Sequence, residues 1–477
     1  MTRTTGSTDK PSNTRTSSST CTHAPARTLT RLLPLALLLP LATACGGVAG
    51  ADDSDTVTVT VGYQSKTINT VTAGTLLRSL GYFEEELAAR GKKDGKKYEV
   101  KWQDYATGAP ITAQMTTGKI DIGSMGDYPL LINAARGKQL GQPTRLVSVT
   151  GYNLRGGLNT VVTKPDSALR SLTGLRGKKV STSVGSAADG TLIRALKQAG
   201  IDPEKDIHKL NQQPSVGASA LSGGSVDALS QFVAWPGQLA YEGKAKALYD
   251  GADLNLPTFH GVTVREEFAK ERAGVLDDFL TAQRRATDYL RERPVAAAES
   301  VAKETGLPAE AVYLYNGAHG IATFDPALRP ELVAALKKDV PILKAAKLVG
   351  DVDVDAFVDP KPLKRIARGH ARPTPTPTPP AGAAKSELWL RGQDTTRTLA
   401  DPKKLLAAVV AAKKSEVRAA YVPDALTGTP WFADRAVWVA DGSELRAFVT
   451  PSHAKTYAER HAGARVVSYA DAVELAS

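Results

Sequence analysis

Three short stretches of this sequence gather small residues immediately before an apolar helical run. QDYATGAPITAQM sets Thr107 and Gly108 ahead of a helix opened by Pro110. GSMGDYPLL sets Gly126 and Asp127 ahead of the helix that carries Pro129. STSVGSAADGTLIRAL sets Ser183, Gly185 and Ser186 ahead of a third. Each stretch offers small hydroxyls, the positive end of a helix dipole, and backbone N–H groups that have no partner within the helix. Glycine lets a ligand come close to the backbone. Taken singly, each is also a helix cap and a tight turn. Together they predict a site for a small anion, held by neutral donors and not by ion pairing. Tyr63, Trp102, Tyr105, Tyr128 and Trp235 fall beside these loop ends. They suit either an apolar-lined cleft or the core of a lobe. An Asp127 side chain aimed inward would repel an anion, so it is expected to cap its helix instead.

Other chemistry finds little support. The two cysteines, Cys21 and Cys45, both lie in the first fifty residues, so the folded part carries no thiol, disulfide or CxxC metal site. His208, His260, His319 and His370 fall in no metal or triad spacing, and neither GVAGADD nor VGSAADG is a phosphate-cradling loop. No catalytic constellation, cofactor or metal is expected. The formal charge of +11 permits an anionic partner. No run of Lys and Arg interleaved with aromatics occurs, which argues against nucleic acid.

The elements that would position the three loops follow from periodicity. TVTVTVGY, YEVKWQDY, IDIGSM and TRLVSVTGY read as strands. TLLRSLGYFEEELAARG and YPLLINAARGKQ read as helices, and LRGKKVSTSVGSAADGTLIRALKQAG as strand, glycine loop and helix. Strands that alternate with helices predict a mostly parallel α/β sheet. Beyond Phe268 the pattern turns almost wholly helical to about residue 345. Such a body predicts two lobes, with the ligand beyond the carboxyl ends of the strands.

The chain of 477 residues exceeds one ordinary domain. Arg27 and Arg31 precede an apolar run from Leu32 to Leu41, then Ala42-Thr43-Ala44 and Cys45-Gly46. The run is of signal-peptide length and too short to span a bilayer. The segment resembles a bacterial lipobox, which implies lipid attachment at Cys45 and an anchored, extracytoplasmic protein. Residues 1–44 are the expected signal segment and 45–56 a tether. ARPTPTPTPPAGAAKSE, at 371–387, is an extended linker that separates a body at 57–370 from a tail at 388–477.

The body resembles the aliphatic-sulfonate, nitrate and taurine group of solute-binding proteins of ABC importers. The motifs that carry this are TAQMTTGKIDIGSMGDYPLL, LRGKKVSTSVGSAADGTL, LSGGSVDAL and Trp235-Pro236, in that order over nearly all of 57–370. The resemblance implies a two-lobed type II periplasmic-binding-protein fold with two crossing strands. Lobe one would comprise 57–160 and 256–370, and lobe two 161–255. It implies contacts to a sulfonate-like anion from Gln64 and Ser65, Thr107 and Gly108, Gly126 to Tyr128, Gly185 and Ser186, and Trp235; Tyr105 and Ser183 join them from the loop reading. It also implies hinge closure around the ligand and docking on a membrane permease. In AADG the sequence departs from the histidine or threonine that often follows the glycine–serine turn in the family.

The tail resembles the NosL-like copper-binding accessory lipoproteins, through AAYVPDA, PWFADRAVWV and LRAFVTPSHAKTYAERHAGARVVSY. Those proteins hold copper(I) with soft sulfur ligands. The tail has neither Cys nor Met, and on one helix His453 and His461 would be separated by about 12 Å of rise. The expectation is a small C-terminal α+β domain without the metal, with Trp389, Trp431 and Trp438 as core. Two alternatives stand beside the transport reading. One is an accessory or metal-handling lipoprotein led by the tail. The other is an enzyme of pyrimidine (thiamine-precursor) synthesis type, which would need a histidine and reactive groups in the cleft.

Overall fold

In a computed structural model the chain is described over residues 56–367, 385–413 and 416–477. Cys21, Cys45, the apolar leader and most of the Pro/Thr segment lie outside the described residues. The described residues form a single unit.

The first sheet begins with β1 (Thr56–Tyr63), followed by helices α1 (Thr75–Leu80) and α2 (Tyr82–Asp94). Next come β2 (Lys97–Asp104), α3 (Gly108–Met115), β3 (Ile122–Gly126), α4 (Asp127–Gln139) and β4 (Thr144–Asn153). The alternation of β1 turns Val59 and Val61 into a core that is closed by Phe83, Leu87 and the long helix described below. The chain then crosses into a second sheet with β5 (Asn159–Thr163), β6 (Lys179–Thr182), α5 (Ala187–Gln198), β7 (His208–Asn211) and α6 (Pro214–Ser222). It continues through β8 (Ala228–Phe232), α7 (Trp235–Tyr241) and β9 (Lys246–Asp250). It returns through β10 (Thr258–Arg265) and α8 (Glu266–Glu271), α9 (Ala273–Glu292), α10 (Pro294–Thr305) and α11 (Ala309–Asn316). The body ends with β11 (Thr323–Phe324), α12 (Pro330–Ala345), α13 (Val354–Phe357) and α14 (Lys361–Ala367).

The sheets run β11-β4-β10-β3-β1-β2 and β7-β6-β8-β5-β9. Within them β1 is parallel to β2 and β3, and β6 is parallel to β7 and β8. Strands β10, β4 and β11 in one sheet, and β5 and β9 in the other, pair antiparallel. The sheets are therefore mixed, not mostly parallel as the strand–helix alternation suggests. The difference arises at the two crossings, because β5 and β10, the strands that enter a sheet from a crossing, run against its parallel set, while β4 and β9, which leave, run with it.

The two crossings, β4 to β5 and β9 to β10, touch backbone to backbone. The Asn153 side-chain oxygen accepts N–H bonds from Arg155, Gly156 and Gly157 at 2.9, 3.0 and 3.1 Å, while its amide donates to the Ile321 carbonyl at 2.8 Å. Gly156 has φ +105°, open to glycine at little cost. A Cβ there would lie 2.7 Å from the Gly251 carbonyl oxygen, and a Cβ on Gly251 would lie 2.5 Å from that of Gly156. The Leu256 N–H donates to the Arg155 carbonyl at 3.1 Å and ties the pair together.

The C-terminal segment adds β12 (Ser386–Leu390), β13 (Arg397–Leu399), α15 (Pro402–Ala411), β14 (Val417–Pro423) and β15 (Pro430–Phe432). After these come β16 (Val437–Asp441), β17 (Glu444–Phe448), α16 (Pro451–Arg460), β18 (Arg465–Val467) and α17 (Tyr469–Ala476). They make two antiparallel sheets, β13-β12-β14-β15 and β17-β16-β18. Trp389, Trp431 and Trp438 are buried core residues. Among the described residues no helix is long and apolar enough to cross a membrane.

The crossing geometry makes a stability prediction. Gly251→Val should lower the unfolding free energy by about 1–3 kcal/mol, as overpacking against fixed backbone does. Urea denaturation followed by circular dichroism measures it, and an unchanged midpoint would mean that the crossings do not abut.

Candidate functional site

All six strands of the two parallel sets end at one place. After β1 comes Gln64, after β2 Thr107, at the end of β3 Gly126, after β6 Ser183, at the end of β7 Asn211, and at the end of β8 Phe232. These residues surround a cavity of about 150 Å³. That is below the roughly 300–1,000 Å³ of drug-sized ligand sites, so the space suits a small solute. Four helices begin at its wall. Gly108 and Ala109 open α3, Gly126 precedes α4, Ser186 and Ala187 open α5, and Gln213 precedes α6 with Pro214 in its first turn. Two of these helices belong to each sheet, so positive dipole ends converge from both sides.

Of the twelve residues singled out in the sequence, seven line this cavity: Gln64, Thr107, Gly108, Gly126, Ser183, Gly185 and Ser186. The other five lie outside its wall. The Ser65 N–H and hydroxyl both donate to Asp104, at 2.8 and 2.6 Å. The Tyr105 hydroxyl donates to Gln103 at 2.6 Å. Trp235 opens α7, with the Lys66 ammonium 5.9 Å from its ring centre. Asp127 is buried, and its carboxylate accepts from Tyr128 N–H at 2.8 Å and from the Thr258 hydroxyl at 2.6 Å. It thus faces its own helix and the return crossing, away from the cavity. The Tyr128 ring packs over Gly190 on α5, where any Cβ would overlap it.

The donor roles are specific. The Ser183 hydroxyl donates to the Gln212 carbonyl at 2.9 Å, so its hydrogen is spent. Ser186 Oγ accepts from Asp189 N–H at 3.2 Å, which leaves the Ser186 hydroxyl hydrogen for a ligand. Asp189 turns back onto its own loop, accepting from Gly185 N–H at 3.0 Å, with Lys209 at 3.9 Å. The acid of AADG is therefore a capping group outside the cavity lining.

The sequence reading placed no histidine here, and the structure corrects it. His260, on β10, lines the cavity beneath Gly126. The Asn69 amide nitrogen lies 2.6 Å from His260 Nδ1 and also donates to the Gly151 carbonyl at 3.2 Å. The amide being the donor, Nδ1 accepts and Nε2 carries the hydrogen. Burial pushes the ring down to about 3, so it stays neutral. Asn211, Gln212, Gln213 and Phe232 were also missed. The usable signal was QQPSVG, where a proline opens a helix just after a strand. The lining described here contains no Asp, Glu, Lys or Arg.

The lobes also meet outside this lining. Arg194 on α5 pairs with Asp339 on α12 at 2.9 Å, and both are largely buried. Burial, reinforced by Asp127, raises the Asp339 carboxyl well above the usual range while Arg194 works against it. In the C-terminal segment both His453 nitrogens face carboxylates, and His461 stacks on Tyr457 at 3.9 Å between centroids. Among the described residues no group of three or more His, Cys, Asp or Glu is arranged to hold a metal ion.

The neutrality of His260 makes a prediction. Its folded pKa lies below the ordinary 6.5, so the stability tied to the neutral ring is whole above about pH 6.5 and lost as pH falls toward 3. Heteronuclear NMR should show a neutral ring protonated at Nε2 from pH 8 to 5. A titration midpoint near 6.5 would contradict this.

Comparison with known proteins agrees with this architecture. A protein of Escherichia coli K12, provisionally described as an aliphatic sulfonates-binding protein, is 27% identical over 320 residues, which span 66% of this chain and 92% of that one. A Haemophilus influenzae protein provisionally described as a thiamine biosynthesis protein is 32% identical over 159 residues, covering 33% of this chain and half of that one. Among solved structures, the alkanesulfonate-binding protein SsuA of Xanthomonas axonopodis pv. citri, bound to MOPS, superimposes with a TM-score of 0.53. It is 22% identical and covers 63% of this chain and 98% of its own, a likeness of fold. The fold is thus the two-lobed type II periplasmic-binding fold. Residues 96–297 match the family described as NMT1/THI5 like.

Proposed function

We propose that this protein is the extracytoplasmic solute-binding component of an ABC importer. It captures an aliphatic sulfonate, or a similar small anion such as taurine or nitrate, and presents it to a membrane permease. The observation that carries the reading is the cavity itself: helix N-termini from both lobes and a neutral histidine donor, with no ionisable acid or permanent cation in the wall. A sulfonate spreads its charge over three oxygens, which suits several weak donors better than one ion pair. The relatives described as sulfonate-binding point to the same solute class. Lipid attachment at Cys45 belongs to this proposal as its means of staying near the permease.

The synthesis-enzyme alternative draws on His260 and on the Haemophilus relative. The wall offers that histidine no Cys, Lys or carboxylate as partner, and its depressed pKa removes it as a base near neutral pH. Capture without chemistry is the better fit.

A thermal-unfolding screen tests the proposal. Ethanesulfonate or taurine at a hundredfold excess over its dissociation constant should stabilise the full chain by about 2.7 kcal/mol. Gly190→Val lies outside the cavity but would drive the Tyr128 ring off α5. It should weaken binding at least tenfold by disfavouring apposed lobes. No shift with any small sulfonate, taurine or nitrate would overturn the reading.

A further inference from the structure

The C-terminal segment has no role in the capture scheme above, yet it touches every moving part of it. On lobe one, the Arg418 guanidinium bonds Glu310 on α11 at 2.7 Å and Glu299 on α10 at 2.6 Å. The Tyr421 hydroxyl donates to the Glu310 carbonyl at 2.9 Å. On lobe two, Phe432 packs against Tyr241 of α7 with ring centres 5.4 Å apart, and the Thr427 hydroxyl donates at 2.9 Å to Asp250, which ends β9. On the return crossing, His453 Nε2 lies 2.8 Å from Asp253 while its Nδ1 lies 3.0 Å from Asp424 of the segment itself.

Two of the contacting residues, Tyr421 and Phe432, share one interior with both lobes. Ala234, Ala240 and Ala247 of lobe two, Tyr313 and Tyr315 of lobe one, and Trp431 of the segment belong to a single buried cluster. A rotation of one lobe about the crossings would shear that cluster, because close-packed interiors do not deform smoothly. It would also separate His453 from one of two carboxylates. Burial alone would lower the His453 pKa, but Asp253 and Asp424 outweigh it and hold the ring charged, up to about 10.

We propose that the C-terminal segment is an internal brace. It grips both lobes and the return crossing and holds them apposed before any solute arrives. This rests on the reading of the body as a two-lobed capture protein, and it gives the segment a function there: it limits lobe opening and pre-organises the anion cavity. A preformed cavity removes part of the conformational cost of binding, and a stiff hinge slows exchange of solute.

Inter-lobe distance in the ligand-free full chain tests the brace. Because no solute is present, its failure is distinct from failure of the transport reading. Spin labels at Glu99→Cys and Lys205→Cys, both on exposed sites, report the separation once Cys21 and Cys45 are replaced by serine. The otherwise unsubstituted chain should give one narrow distance. Asp253→Asn, at a partly exposed carboxylate, and Tyr241→Ala, at the lobe-two contact, should each add a longer component, with far-ultraviolet circular dichroism unchanged. A distribution unaltered by both substitutions, or already broad without them, would overturn the proposal.

Discussion

A small anion taken out of water must find its lost hydrogen bonds again, or the desolvation cost prevents binding. Everything near the cavity of this protein bears on that requirement. Six strand ends and four helix starts meet there, so partial positive charge arrives from the backbone and needs no side-chain cation. The same geometry forbids carboxylates in the wall. The two acids that the sequence puts within reach are diverted, Asp127 to Thr258 and Asp189 to the Gly185 amide. Each diversion is a hydrogen bond that also fixes a loop, so electrostatic clearance and loop shape come from the same contacts. His260 completes the set, since Asn69 forces its hydrogen onto Nε2 and burial keeps it uncharged.

Donors from two lobes converge only if the lobes sit correctly. Three features place them. The crossings abut at Gly156 and Gly251, where any side chain would strike a carbonyl. Arg194 and Asp339 join the lobes, and Tyr128 rests on Gly190 beside them. At the opposite end the C-terminal segment shares a core with both lobes. The buried Arg194–Asp339 pair is suited to specifying one arrangement more than to adding net stability, because its Coulomb gain is set against two desolvations.

How much of this was legible in the sequence depended on how local the signal was. Strand alternation and the Gly–Ser–Thr loops before helices are local, so Thr107, Gly108, Gly126, Ser183, Gly185 and Ser186 were found and do meet at the cavity. Gln64 came from family resemblance. His260 was not legible, because its place depends on β10 inserting antiparallel between β3 and β4, a pairing that spans more than a hundred residues. Tyr105 and Trp235 illustrate the converse: an aromatic beside a loop end has no marker for which way its ring turns. The same distance in sequence hid the mixed sheets, since the crossings that reverse the strands are read only once both lobes exist. The union of the tail with the body was hidden too, because a Pro/Thr stretch suggests separation while Arg418, Phe432 and His453 make the contacts.

The central claim is that neutral dipoles, not ion pairs, hold the anion. Calorimetric titration of ethanesulfonate across ionic strengths from about 0.02 to 1 M tests it most directly, since the screening length shrinks from about 20 to 3 Å over that range. Binding by neutral donors should change in affinity by less than about threefold. A loss of tenfold or more as salt rises would show that exposed charge carries the binding, and would contradict the account.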